Sequence, residues 1–351
     1  MARKTGIVKD YRYTRHMSGF GHPESPARLE SIYQMLGNPD IYWKYQEIEP
    51  RMAEREEIAY VHTLPYIERI AATTGKSCVL LDEDTTASEE SYDIARLAAG
   101  GLMNAIDAVM TREVDNAFAF VRPPGHHAGE GNSAGFCIFN NVAIGALHAI
   151  QKHQLQNILI VDWDLHHGNG TQKTFYSDRR VLYFSTHQYP YYPGTGSLRE
   201  IGTGQALGYT VNVPLSPGAG NGTFVSAFRN ILAPIAQAFK PELILVSAGF
   251  DIHHQDPLGG MRVTPEGFAA LARVLLNIAD HCCAGRFVAV LEGGYHVAAL
   301  TRSVKTTLEE MSDDTHCKDD RLDDLEQEVD EKNKPIIKSV ISGIQPYWDV
   351  F

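Results

Sequence analysis

Short runs of apolar, often β-branched residues alternate with longer stretches of helical periodicity along most of this 351-residue chain. Strands that are apolar on both faces and separated by helices are typical of a parallel sheet that helices cover on each side. The pattern therefore predicts one three-layer α/β domain. Its predicted strands are Ala117 to Val121, Ile158 to Val161, Val181 to Phe184, Leu243 to Val246 and Phe287 to Leu291.

Helical periodicity is clearest over Ala143 to His153 and over Thr264 to Asp280. No repeat of fixed period and no linker rich in Pro, Gly or Ser divides the chain, so we expect a single domain over residues 1–351. Residues 312–334 are the one shift in composition, because this segment is strongly acidic and contains few apolar side chains. We expect 312–334 to form an exposed helix or a loose connector, and 335–351 to dock back on the body of the domain.

The net charge, the apolar runs and the cysteines limit the classes of protein to which this chain can belong. The net charge of −12 gives little support to a basic surface for nucleic acid and mildly favours a cationic substrate or partner. No apolar run approaches the roughly 20 residues that span a bilayer, and no secretory signal is evident. The five cysteines are odd in number and lack C-x-x-C spacing, which fits a reducing compartment. We expect a cytoplasmic protein that binds neither nucleic acid nor membrane.

Polar and ionisable residues follow four of the predicted strands. In parallel α/β sheets, ligands bind beyond the carboxyl ends of the strands, so these are the positions where chemistry is expected. Taken one at a time, each segment also reads as an ordinary loop in water. Together the four strand ends are much harder to explain that way. They are Arg122 to His127, Asp162 to Gly170, Ser247 to Asp251 and Glu292 to Tyr295.

The segment after the second predicted strand is the most informative. Because successive side chains of an extended chain alternate between faces, Asp162, Asp164 and His166 are expected to point the same way. Carboxylate oxygen and imidazole nitrogen both bind Zn²⁺, and a catalytic zinc takes three protein ligands and keeps one position for water. Asp251 is the best-placed third ligand. A buried Asp162 needs a partner, and we expect a hydrogen bond to His126 that holds this ring toward its protonated form.

Five runs of the chain closely resemble the histone deacetylase superfamily, nearest to its class II-like branch and its bacterial deacetylase-like amidohydrolases. Together with His22-Pro23-Glu24 they extend over most of the chain. The resemblance implies the α/β arginase/deacetylase fold, with a parallel sheet of about eight strands flanked by helices. The runs are Arg122 to Asn141, Ile160 to Gln172, Ser185 to Gly196, Ser247 to Gly259 and Glu292 to Tyr295.

The resemblance also implies a zinc-dependent deacetylase, an amidohydrolase that uses metal-activated water to remove acetyl or related acyl groups from lysine side chains of proteins or peptides. Carried over residue by residue, it assigns one Zn²⁺ per chain to Asp164, His166 and Asp251. His126 and His127 would flank the water, with His127 as general base, and Tyr295 would donate a hydrogen bond to the substrate carbonyl. For structural K⁺, it implies one site at Asp162, Ser185 and the main chain of Asp164 and His166, and a second near Phe175, Asp178, Val181 and Tyr209.

The same resemblance places a substrate channel between Gly135 and Phe136 on one wall and Tyr192 on the other, with Leu258 near the rim. Packing in the core explains Phe136 and Leu258 equally well at this stage. A carboxylate at position 258 would indicate recognition of a second amine, as in a polyamine. The apolar Leu258 mildly favours acyl-lysine or a simple acylamine.

Two departures from neighbouring families refine the hypothesis. Arginases carry further carboxylates at the positions of Gly168 and His253, so this chain is expected to hold one catalytic metal and not to be a ureohydrolase. Asn169 stands behind His127 where class I deacetylases have an aspartate, and a neutral partner should leave His127 less basic. Deacetylation of acetylpolyamines or other small acylamines stays open as an alternative, as does a catalytically silent binding protein. Because the loop His16 to Pro26 matches one that forms subunit contacts in relatives, a homo-oligomer also stays open.

Overall fold

A computed structural model describes residues 3–41, 44–315 and 317–351. Eight strands form one sheet in the order β2-β1-β5-β10-β9-β6-β7-β8, and every neighbouring pair is parallel. A separate antiparallel pair is formed by β3 and β4. The strands are β1 (Thr5–Val8), β2 (Tyr45–Glu47), β3 (Val79–Leu80), β4 (Thr86–Ala87), β5 (Asn116–Ala119), β6 (Ile158–Asp162), β7 (Val181–Gln188), β8 (Thr210–Leu215), β9 (Leu243–Ala248) and β10 (Phe287–Leu291).

Helices flank this sheet, so the predicted α/β architecture with a parallel sheet of about eight strands is confirmed. Helices α4 and α5 pack against each other on one side, and α9 packs against α10, which in turn packs against α1. The helices are α1 (Ala27–Leu36), α2 (Arg55–Ile58), α3 (Leu64–Ala71), α4 (Ser91–Met110), α5 (Asn141–His153), α6 (Asn169–Phe175), α7 (Asn221–Ala227), α8 (Ala233–Phe239), α9 (Pro265–Cys283), α10 (Val297–Met311), α11 (Asp319–Gln327) and α12 (Lys334–Ile344).

The five predicted strands correspond to β5, β10, β9, β6 and β7, which are consecutive in the sheet. The sequence pattern did not predict β1, β2 or β8. Both β2 and β8 are edge strands, and β8 contains Pro214. Proline cannot donate to a ladder and is tolerated at an edge, where one side of the strand needs no partner. Such strands do not show the uninterrupted apolar run that marks a strand buried between two neighbours.

The acidic segment contains the helix α11, whose Leu322 and Leu325 are buried while its outer carboxylates are exposed. It packs against α7. Helix α12 packs against β8, and after it the indole Nε1 of Trp348 donates to the carbonyl of Gly208 at 2.8 Å. Among the described residues, no helix combines the length and the apolar character that crossing a bilayer requires.

Candidate active site

Four loops that follow β5, β6, β9 and β10 meet at the carboxyl edge of the sheet. These four strands are consecutive in the sheet, in the order β5-β10-β9-β6, although they are far apart along the chain. Parallel strands end at the same edge, so their loops become neighbours. The strand order therefore brings together His126 and His127, the Asp162 to His166 segment, Asp251 and Tyr295.

The three predicted metal ligands converge. Their donor atoms in Asp164, His166 and Asp251 lie within 4.8 Å of one another. Nδ1 of His166 is 3.1 Å from Oδ1 of Asp164 and 3.1 Å from Oδ2 of Asp251. The other carboxylate oxygens accept backbone hydrogen bonds, Oδ2 of Asp164 from the N–H of Gly293 at 2.9 Å and Oδ1 of Asp251 from that of Leu165 at 2.8 Å. The backbone thus orients Oδ1 of Asp164, which also accepts from the N–H of His166 at 2.8 Å, and Oδ2 of Asp251 toward the imidazole.

The electrostatics of this group fit a divalent cation. Both carboxylates are buried, and burial together with the charge of Asp164 raises the pKa of Asp251 to about 7. Burial alone would lower the pKa of His166, but its hydrogen bonds to Asp164 and Asp251 raise it to about 9. Two buried carboxylates facing one imidazole carry an excess of negative charge that a bound cation would neutralise. Two oxygens and one nitrogen are also a donor set that suits Zn²⁺.

Glycines allow the neighbouring loops to pack directly on these carboxylates. A Cβ atom at Gly249 would lie 2.1 Å from Oδ2 of Asp164, and one at Gly293 would lie 2.4 Å from Oδ2 of Asp251. Both distances are far below van der Waals contact, so any larger residue would displace a ligand. The glycine before Asp251 and the pair before Tyr295 therefore serve the close packing of the site.

The two histidines differ in their partners and in their basicity. Nδ1 of His126 lies 3.1 Å from Oδ2 of Asp162, so the hydrogen bond predicted between them is present. Burial opposes protonation of His126, but Asp162 and Asp164 raise its pKa to about 10. Nδ1 of His127 lies 2.8 Å from Oδ1 of Asn169. Burial and the neighbouring His126 and His166 lower the pKa of His127 well below its usual value.

This pairing sets the tautomer of His127. The carbonyl oxygen of Asn169 can only accept, so Nδ1 of His127 carries the hydrogen and Nε2 keeps its lone pair. The ring centroids of His126 and His127 are 4.0 Å apart. The site therefore places a neutral, proton-accepting imidazole beside a cationic one.

Tyr295 is held at the site by its backbone and its ring. Its N–H donates to Oδ2 of Asp256 at 2.6 Å, and its ring contacts the ring of Phe136 edge to face with centroids 5.9 Å apart. Burial, with Asp251 and Asp164 nearby, raises the pKa of Tyr295 well above its usual value. The hydroxyl therefore stays protonated and is available as a hydrogen-bond donor.

A cavity with about 330 Å³ of empty space leads to these groups. All four predicted channel residues line it, so Phe136 and Leu258 belong to the cavity wall and not only to the core. The ring of Tyr192 contacts that of His127 edge to face at 5.1 Å. The complete lining is Asp84, His127, Gly135, Phe136, His166, Tyr192, Leu258 and Tyr295.

Glu292, which had no predicted role, lies behind the histidine pair. Its buried carboxylate accepts from the backbone N–H of Gly125 at 2.7 Å and of His126 at 3.2 Å, and from the hydroxyl of Ser247 at 2.9 Å. Burial raises the pKa of Glu292 to about 7. It thereby ties the ends of β9 and β10 to the histidine loop. A carboxylate directly after a buried strand was the signal available in the sequence.

Arg28 is a second residue that the sequence analysis missed. Its buried guanidinium donates through Nε to the carbonyl of Gly294 at 2.7 Å and lies 5.1 Å above the ring of Tyr295. Glu24 pairs with it at 3.1 Å and also pairs with the buried Arg122. Helix α1 thus supports the Tyr295 loop from a distance of 266 residues along the chain, and no local pattern signals this contact.

The residues predicted to bind potassium lie in two places. Asp162, the last residue of β6, is the cross-strand partner of Ser185 within β7 and lies next to the main chain of Asp164. The second set surrounds the beginning of β7, where the carboxylate of Asp178 pairs with Arg180 at 2.6 Å. Its members are Phe175, Asp178, Val181 and Tyr209.

Comparisons with known proteins show which family this chain resembles. Residues 22–311 match the family model described as the histone deacetylase domain. A probable deacetylase of Archaeoglobus fulgidus is 43% identical over 295 residues, which cover 84% of this chain and 82% of that protein. The polyamine deacetylase HDAC10 of Homo sapiens is 43% identical over 307 residues, which cover 83% of this chain but only 45% of that protein. The crystal structure of the HDA15 HD domain superposes with a TM-score of 0.91 at 34% identity, covering 99% of this chain and 97% of that chain.

Proposed function

This chain belongs to the histone deacetylase family, and we propose that it is a zinc-dependent deacetylase that removes acetyl or related acyl groups from lysine side chains of proteins or peptides. One observation carries the proposal. The donor atoms of Asp164, His166 and Asp251 lie within 4.8 Å of one another, beside a cavity that His127, His166 and Tyr295 line. A pure binding site needs neither the histidine pair nor the tyrosine.

Asp164, His166 and Asp251 would hold the ion. When bound, Zn²⁺ supplies a Lewis acid for the acyl carbonyl and lowers the pKa of an attacking water toward about 7. The carboxylates and the imidazole are already aligned by the backbone hydrogen bonds from Gly293 and Leu165. Little rearrangement of the chain is then needed to accept the ion.

Side chains of the protein carry out the proton transfers, stabilise the developing charge and hold the substrate. Nε2 of His127 takes the proton from the attacking water and passes it to the leaving amine, as a general base and then a general acid. The cationic His126 beside it favours the negative charge that develops on the carbonyl oxygen, to which Tyr295 donates a hydrogen bond. The aromatic walls at Phe136 and Tyr192 hold the aliphatic stem of the substrate and exclude water.

We also propose a structural K⁺ bound by Asp162, Ser185 and the main chain of Asp164 and His166, which the cross-strand pairing of Asp162 with Ser185 supports. The second alkali-metal site, near Asp178, stays a prediction. A cytoplasmic location is part of the proposal. The five cysteines, all free in the structure, support it because disulfides are rare in reducing compartments.

Hydrolysis that depends on the metal is the direct test. The purified protein should release acetate from an acetyl-lysine peptide, lose this activity after dialysis against a chelator, and regain it with one equivalent of Zn²⁺. Acetylputrescine is assayed in parallel, and the metal content is measured for each sample. A protein that holds zinc and hydrolyses neither substrate would contradict the proposed activity and favour a binding protein on the same fold.

Deacetylation of small acylamines is the second candidate, which the 43% identity to a protein named polyamine deacetylase favours. Leu258 lines the cavity without a charge, which favours acyl-lysine or a simple acylamine over a polyamine with a second amine. Leu258→Glu should raise kcat/KM for acetylspermidine relative to an acetyl-lysine peptide by about five-fold, the size of a partly exposed ion pair with the second amine. Leu258→Gln, similar in shape but neutral, is the control. An unchanged substrate ratio in the glutamate variant would show that position 258 does not contact the substrate.

A further inference from the structure

A second group of metal-ligating side chains lies between α4 and α5, apart from the cavity. Asp107 is on α4, and His148 and His153 are on α5. Nε2 of His148 is 2.9 Å from Oδ1 of Asp107, and Nε2 of His153 is 2.7 Å from the same oxygen. Three potential metal ligands thus already converge on one point.

Helical periodicity alone does not produce this convergence. Positions five apart on a helix are separated by about 140° around the axis, so His148 and His153 do not share a face. His153 is the last residue of α5, before Gln154 turns into the left-handed conformation. The two rings stand at 78° to each other and reach the carboxylate from different directions.

We propose that Asp107, His148 and His153 bind a second divalent cation of the Zn²⁺ class and so join α4 to α5. Bonds of 2.0 to 2.2 Å in tetrahedral geometry place ligand atoms about 3.4 Å apart, so each imidazole nitrogen needs to move away from the shared carboxylate oxygen by only about 0.5 to 0.7 Å. Two imidazole nitrogens with one carboxylate suit Zn²⁺, Ni²⁺ or Cu²⁺ better than Mg²⁺ or Ca²⁺. His153 and Asp107 are 16% and 21% exposed, which leaves access for the ion and for a water as fourth ligand.

Lys152 provides the sharpest test of this site. Its Nζ lies 2.7 Å from Oδ2 of Asp107, the oxygen that the two imidazoles do not contact. A cation at Oδ1 would therefore share the carboxylate with an ammonium group and be repelled by it. If the cluster served only as an ion-paired contact between helices, Lys152 would be part of what holds it together. The two roles predict opposite responses to its removal.

The proposed cation site is distant from the catalytic centre. Helix α5 begins at Asn141, shortly after Gly135 and Phe136, and His153 is at its other end. Twelve residues at 1.5 Å each separate the two ends by about 18 Å. Binding should therefore raise the unfolding temperature and leave the turnover of the zinc-loaded enzyme unchanged. The proposal does not depend on the proposed deacetylase function.

The proposed second cation site can be tested by calorimetric titration of the zinc-loaded protein with Ni²⁺ and with Zn²⁺. The visible absorption of added Co²⁺ reports on the coordination of the bound ion. Wild type should bind one further equivalent and unfold at a higher temperature with metal. The double variant with His148→Ala and His153→Ala should lose this equivalent. Lys152→Met should tighten binding about five-fold, as expected for a partly exposed charge. His281→Ala, which removes an exposed histidine of α9, should change nothing.

Retained hydrolysis of the chosen substrate, or an unchanged circular dichroism spectrum, shows that each variant is folded. The absence of a further equivalent in wild type would overturn the proposal. So would binding that survives the double substitution, or binding that Lys152→Met weakens. Any of these results would leave the cluster as an ion-paired contact between the two helices.

Discussion

Replacing Asp251 with asparagine is expected to lower the affinity for the catalytic ion by more than about 100-fold and to abolish hydrolysis at ordinary zinc concentrations. Changes even to the outer partners of metal ligands reach 10- to 100-fold, and here a ligand itself loses its charge. The asparagine side chain still offers an oxygen to the N–H of Leu165, which the carboxylate accepts at 2.8 Å. The loop should therefore keep its conformation.

The stability of the metal-free variant gives an independent check. Burial and Asp164 raise the pKa of Asp251 to about 7. A carboxyl whose pKa is raised on folding stabilises the fold below its usual range and loses this contribution as the pH rises to about 7. At pH 8 the ionised group is unfavourable, so the metal-free Asp251→Asn variant should unfold at a temperature no lower than metal-free wild type.

The test measures metal content, activity and the unfolding temperature with and without Zn²⁺. The matched control is Asp280→Asn, which makes the same change at a surface carboxylate. One equivalent of Zn²⁺ should stabilise wild type and the control more than the Asp251→Asn variant, which keeps the second cation site proposed above. A zinc content in that variant equal to that of wild type would remove Asp251 from the ligand set.

Replacing Tyr295 with phenylalanine is expected to lower kcat by about 10² to 10³-fold with little change in KM. The hydroxyl strengthens its hydrogen bond as charge develops on the carbonyl oxygen, so its loss is felt in the transition state more than in substrate binding. Within the described part of the chain the hydroxyl has no hydrogen-bond partner, so the substitution leaves no buried group unsatisfied. Arg28 and Phe136 should hold the new ring in the same place.

Steady-state kinetics with the acetyl-lysine peptide measure this effect. Tyr347→Phe changes an exposed tyrosine far from the cavity and should behave as wild type. The zinc content of both variants should equal that of wild type, which separates a loss of catalysis from a loss of metal. Turnover near the wild-type value in Tyr295→Phe would exclude the tyrosine from the mechanism.

Local sequence patterns predicted some residues of the site but not how they come together. Two-residue alternation predicted that Asp162, Asp164 and His166 would lie on one side, whereas β6 ends at Asp162 and residues 164–166 form a bend. Asp251 could be proposed only because it follows a different buried strand. Its approach to His166 depends on β9 lying beside β6, and strand order is not readable from apolar runs.

No local signal predicts the long-range contacts of two other residues of the site. Arg28 reaches the Tyr295 loop across 266 residues, and Glu292 binds the backbone of the histidine loop across 167. Contacts of this kind form between a side chain and a backbone amide or carbonyl, and every residue carries those groups. The sequence around either residue therefore does not indicate whether the contact exists.

The amino-acid sequence by itself determined the α/β class, the central strands and the groups that stand at their ends, because burial on both faces and two-residue alternation are local properties. The resemblance of its motifs to a known family added the expected roles. Only the tertiary structure decided which of those groups meet, which carboxylate oxygens face the imidazole, and how far burial and neighbouring charges shift each pKa. Those properties depend on strand order, burial and neighbouring charge, which arise only when distant segments pack together.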